Sequence, residues 1–164
     1  MQNTSVTVGA AGSSAWIPID RFRNPTSISL GCTITSGANL TFKVQHTFDN
    51  IWNQVNFSAT RVTTTATATL ANHGLVVGDS VIVEGAGAPF DGTYAVASIT
   101  DANIFTYTVA NSGAATTAPD ARITTLRFCD HSSITGKTAN IDGNYAFPVS
   151  AVRLTVTSYT GGKV

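Results

Sequence analysis

Three histidines bound the acid–base chemistry open to this chain: His46, His73 and His131. An imidazole is the side chain that changes charge near neutral pH without special tuning, and it is also the commonest metal ligand. His46 lies on the apolar phase of an alternating segment, which points to a core histidine rather than a ligand. His73 precedes Gly74 in a turn, where an imidazole can bond the backbone. His131 belongs to Asp130-His131-Ser132-Ser133, which holds the residue types of a hydrolytic triad. A triad needs the base within hydrogen-bond reach of the nucleophile and held by a third group. Neighbours on a strand point to opposite faces, so this run does not form that geometry by itself. No catalytic residue is assigned.

The carboxylates lead the same way. Glycoside hydrolysis needs two of them facing a groove at roughly 5–9 Å. Asp49, Asp91, Asp101 and Asp142 all sit in turn-like sequence, where an aspartate usually bonds nearby backbone. A calcium loop needs several oxygen ligands at close spacing, and no D-x-D-x-D pattern occurs. No metal and no cofactor is expected. Cys32 and Cys129 are far apart, and Cys32 falls in an alternating strand, so both are read as free thiols.

The aromatic residues carry more weight. Phe42, Phe48, Phe128 and Phe147 are expected to fill a core. Trp16, Trp52, Phe22, Phe48 and Phe57 can also be read as lining a sugar-binding face or a protein interface. The run from Asn50 to Phe57 places Ile51, Trp52 and Phe57 in an otherwise polar connection. Trp52 there either anchors a neighbouring subunit, since tryptophan is enriched at binding hot spots, or packs on its own chain. The candidate interface residues are Trp16, Trp52, Phe57, Lys163 and Val164. The last two follow Gly161-Gly162, a turn that usually introduces a partner strand; the edge there is expected to be short or completed by another chain.

The elements that must position these residues read as strands throughout. Ile28 to Ile34, Leu40 to Phe48 and Val152 to Val156 alternate apolar and polar residues, which marks strands with one face buried. Ser36-Gly37-Ala38-Asn39 predicts a hairpin between the first two. Shorter strands are expected at Ser5 to Val8 and Ala15 to Ile19. Further strands are expected at Val62 to Leu70, Val81 to Glu84, Tyr94 to Ile99 and Ile104 to Val109. Ile123 to Asp130 is read as one strand, Ser132 to Asn144 as a polar loop, and Ala146 to Tyr159 as a long strand bent near Pro148. No window carries a helical stripe. The fold class is all-β: a jelly-roll-like β-sandwich of residues 1–59 and 123–164, interrupted by a small β-barrel module at 60–122.

Composition narrows the function. At 164 residues the chain can bury roughly 70% of its unfolded surface and needs no metal or disulfide to fold. Charged residues are 11% and the formal net charge is zero, against a usual charged fraction of about 25%. Low net charge promotes association, which fits a subunit packed against others. The basic residues are scattered along the sequence, so no nucleic-acid partner is expected. The first five residues lack a signal-peptide pattern, and no run approaches the roughly 18 apolar residues of a membrane helix. Synthesis in a cytoplasm, with no membrane partner, is the expectation.

Two stretches carry a resemblance. Val44-Gln45-His46-Thr47-Phe48-Asp49-Asn50, with Asp142 to Val149 and then Ala151-Val152-Arg153-Leu154, resembles small β-sandwich virion proteins of tailed bacteriophages. His73-Gly74-Leu75 followed by Val77-Gly78-Asp79, with Phe90-Asp91-Gly92-Thr93-Tyr94, resembles a small barrel. In phage proteins that barrel is often matched to a β-domain of ubiquitin-activating enzymes. No adenylation motif or nucleotide-binding glycine loop accompanies it, so no enzymatic role is carried over. The resemblance implies a non-enzymatic, oligomeric virion protein. Its expected role is a capsid decoration or cement protein, with the major capsid protein and copies of itself as partners. The alternative it implies is a tail fibre, baseplate or collar component with a host glycan as ligand.

Overall fold

The computed structural model describes residues 4–20, 22, 27–88, 90–110, 115–117 and 120–164. No helix occurs among them. The chain divides into two compact units, residues 1–48 with 128–164, and residues 49–127.

The first segment of unit 1 supplies β1 (Gly12–Ser13), β2 (Ile17–Pro18), β3 (Ile28–Cys32) and β4 (Asn39–Thr47). Unit 2 supplies β5 (Val55–Asn56), β6 (Ser58–Val62), β7 (Thr65–Thr69), β8 (Ser80–Glu84), β9 (Gly92–Ile99), β10 (Ile104–Thr108), β11 (Ala115–Thr116) and β12 (Arg122–Leu126). The chain returns to unit 1 with β13 (Cys129–Asp130), β14 (Ile141–Tyr145) and β15 (Ala151–Gly161).

In unit 1 the long antiparallel pair β4–β15 is the centre of a sheet ordered β1-β15-β4-β13, with β2 also on β15. The ribbon β3–β14 lies apart from it. Leu40, Phe42 and Val44 of β4 and Leu154 and Val156 of β15 share one core with Cys32 and Ile134. The unit is therefore a sandwich closed over the alternating apolar residues read from the sequence.

The expected hairpin between residues 28–34 and 40–48 does not form: β3 pairs with β14, and β4 with β15 and β13. The Ser36–Asn39 turn instead carries the chain from one layer to the other. Ser132 to Asn144 is not all loop, because β14 lies within it. The last strand starts at Ala151, after Pro148, rather than at Ala146. Residues 123–130 split between two sheets: β12 pairs with β8 in unit 2 and β13 with β4 in unit 1. The end of the chain is paired, since Val164 and Val8 exchange backbone hydrogen bonds at 3.0 and 2.7 Å. Gly162 permits that path. Its φ is +101°, and a Cβ there would stand 2.7 Å from the Ala38 Cα.

Unit 2 is one antiparallel sheet ordered β11-β6-β7-β10-β9-β8-β12-β5, curled around its own core. Phe57, Val81, Val83, Phe90, Phe105, Tyr107 and Ile123 fill that core. The sheet spans residues 55–126, wider than the 60–122 module read from sequence texture, because β5, β6 and β12 are structural members of it. Asp49 accepts the Arg127 N–H at 2.7 Å, closing the first and last residues of the unit on each other.

Candidate functional site

Two rows of side chains across the unit 1 sheet hold its polar chemistry. In the first, Asp130, Gln45 and Arg153 are directly opposite one another on β13, β4 and β15, so they share a face. The Gln45 amide donates to Asp130 at 2.7 Å, and its oxygen accepts from Arg153 Nε at 2.9 Å and from the Thr155 hydroxyl at 3.1 Å. Lys43 completes the row as an ion pair with Asp130 at 3.0 Å. The Arg153 guanidinium lies over the rings of Trp16 and Phe128, 4.6 and 4.5 Å from their centroids. Burial pushes its pKa down to about 10, with Asp130 opposing the shift. Burial acts on Asp130 in the raising direction, but hydrogen bonds from Gln45 and Lys43 and nearby positive charge hold it below its ordinary value.

On the other face, His46 accepts or donates at Nδ1 with the Tyr145 hydroxyl at 3.1 Å. Phe48, Tyr145 and Phe147 meet the imidazole edge-on at centroid distances of 5.3, 5.0 and 5.9 Å. Burial lowers the His46 pKa, and the charge of His131 lowers it further. Tyr145 is buried, whereas Phe48 and Phe147 are 55% and 45% exposed. These two were expected in the core; Phe42 is the phenylalanine that fills it. Phe48 follows the last residue of β4 and Phe147 precedes Pro148, so both lie just beyond strand ends.

His131 is not a base beside a serine. Its Nδ1 accepts the backbone N–H groups of Ser133 and Ile134, and its Nε2 bonds the Asn144 carbonyl. His73 in unit 2 does the same: Nδ1 accepts the Leu75 N–H, and Nε2 bonds the Asp101 carbonyl. Both imidazoles staple turns, with Nε2–H the tautomer that fits two such contacts. Asp91 and Asp101 accept backbone N–H groups of Ala86 and Asn103. Among the described residues no three His, Cys, Asp or Glu side chains are placed to hold a metal ion. Cys32 is buried and Cys129 exposed, and they are not joined.

The five residues read as interface candidates scatter. Trp16 is buried beneath Arg153, Phe57 lies in the unit 2 core, and Val164 lies in the unit 1 core. Lys163 is exposed beside Gly9, and Trp52 is 72% exposed. Sequence reasoning missed the role of Arg153 and Gln45. Two long polar side chains in phase on strands that pair were the available signal, but their pairing was not visible before the fold.

No protein-family model matches this chain, and no curated protein matches it in sequence. Among solved structures it is similar to phage phi92 endosialidase, at 17% identity and a TM-score of 0.35. The likeness covers 90% of this chain and 22% of that one.

Proposed function

We propose that the chain is a structural subunit of a tailed-phage particle, bound on the assembled head as a decoration or cement protein. The observation that carries this reading is the aromatic pair Phe48 and Phe147, left exposed on a molecule of zero formal net charge whose histidines are all engaged in structural bonds. Aromatic rings over a rigid backing are the residues that anchor protein interfaces. Binding to the assembled shell in preference to its free subunits stabilises the lattice by mass action. The partners are the major capsid protein and further copies of this chain, and the place of action is the virion. This reading assigns no reaction to the chain.

The test is copy number. Quantitative mass spectrometry of purified particles is expected to find the chain at a number comparable with the shell subunit. A dozen copies or fewer would move it to the tail, where Phe48 and Phe147 would serve as a stacking platform for host glycan. Absence from particles would overturn the virion reading. Phe48→Ser with Phe147→Ser is expected to weaken shell binding at least tenfold while leaving the fold intact.

A further inference from the structure

The core of unit 2 contains two polar side chains that the described residues do not satisfy. Arg61 is 7% exposed and Tyr107 is fully buried. Arg61 Nε and Nη1 and the Tyr107 hydroxyl find no hydrogen-bond partner among the described residues. Arg61 on β6 is opposite Ala66 on β7, and Ala66 is opposite Tyr107 on β10. The three residues therefore form one row on one face of the sheet, with only a methyl group between the two long side chains. Their backbones stand two strand spacings apart, roughly 10 Å.

A guanidinium keeps its proton under all ordinary conditions. Buried without a counter-charge it is strongly unfavourable. A tyrosine hydroxyl buried without a partner adds to the deficit. Tyr107 is also held in place, because Tyr94 stacks on it at 4.8 Å. Arg61 is one strand in from the sheet edge, where the two-residue β11 is its outer neighbour.

We propose that this row binds a small oxyanion, a carboxylate or a phosphate group, with Arg61 supplying the charge and Tyr107 a further donor. Oxyanions fit because a guanidinium presents several N–H donors at fixed angles, which a multi-oxygen acceptor can take up together. The site lies within unit 2 and is independent of where on a particle the chain works.

The experiment is a titration of ¹⁵N-labelled full-length protein with sodium formate or sodium phosphate, against sodium chloride at matched ionic strength. The Arg61 Nε–H resonance is expected to shift saturably with one or both oxyanions, and the thermal midpoint to rise with it. A response to formate alone identifies a carboxylate site, and a response to phosphate alone identifies a phosphate site. Tyr107→Phe, which removes one oxygen, is expected to weaken binding roughly tenfold. Arg61→Met is expected to abolish both responses; should it fail to fold, Tyr107→Phe carries the comparison. Equal behaviour in all three salts overturns the proposal, as does an unchanged oxyanion response in Arg61→Met or in Tyr107→Phe.

Discussion

Arg153 in unit 1 and Arg61 in unit 2 are both buried arginines on antiparallel sheets, at 8% and 7% exposure, yet their surroundings differ in kind. Arg153 has Gln45 as acceptor, Asp130 one residue further along the row, and two aromatic faces against its guanidinium. Arg61 faces Ala66 and Ala115 across the strands and has two nitrogens without a partner among the described residues. A buried charge becomes part of a fold when the row it lies in supplies acceptors. Where the row supplies methyl groups, the same charge is a demand on something else.

The comparison can be broken most forcefully at the cores beneath the two arginines. Phe42→Ala and Phe105→Ala each empty a fully buried position and are expected to cost about 3–5 kcal/mol. Amide exchange resolved by strand would show whether each loss stays in its own unit. Loss of protection across both units from either substitution would mean that they unfold as one.

Substitution of the arginines should give opposite signs. Arg153→Met removes one of the two donors to the Gln45 oxygen and a positive charge near Asp130, and is expected to destabilise by about 1–3 kcal/mol. Arg61→Met removes an uncompensated charge from the core and is expected to stabilise by at least about 1 kcal/mol in chloride buffer. Denaturant midpoints of the two variants test this directly; a shared sign would erase the distinction between the two sites.

A smaller effect follows from pH. Burial lowers the folded pKa of His46, as does the charge of His131, against the opposing pull of Asp130. The unfolded chain then binds the proton more readily than the folded one. Stability from this group is complete above about pH 6.5 and declines as pH falls toward the lowered folded value. Protection factors of β4 and β15 amides should therefore fall as pH drops below about 6.5, and His46→Gln should flatten that dependence. The smallest effect is expected at the exposed Ser98–Thr106 hydroxyl pair, 2.7 Å apart on β9 and β10. Thr106→Val there should change stability by no more than about 0.5 kcal/mol.

The alternation along Leu40, Phe42, Val44 and His46, and along Val152, Leu154 and Val156, made those strands legible, because a period of two has one physical meaning. Their partners were not legible. Ser36 to Asn39 has hairpin chemistry, but a turn of that composition also serves to cross between layers of a sandwich. Ile141-Asp142-Gly143-Asn144-Tyr145 read as loop because three of its residues favour turns. Its glycine is there for packing: a Cβ on Gly143 would stand 2.7 Å from Ile134 Cδ1. The structural roles of His46 and His73 followed from phase and from turn context. The buried positions of Trp16 and Val164 did not, since each lies in a short or terminal segment whose cover comes from residues remote in sequence.

The hydrogen bond from Arg127 to Asp49 has a kinetic consequence. Pairing β4 with β13 requires bringing together two stretches separated by all of residues 49–127. Closing so long a chain while it is unfolded carries a larger entropic penalty than closing a connection of a few residues, by about 3 kcal/mol on the logarithmic loop law. Once unit 2 has folded and its ends have met, the flanking strands are tethered as though by a tight turn. Folding of residues 49–127 first is the faster order, and a substitution that slows unit 2 should slow the completion of unit 1 without touching any of its contacts.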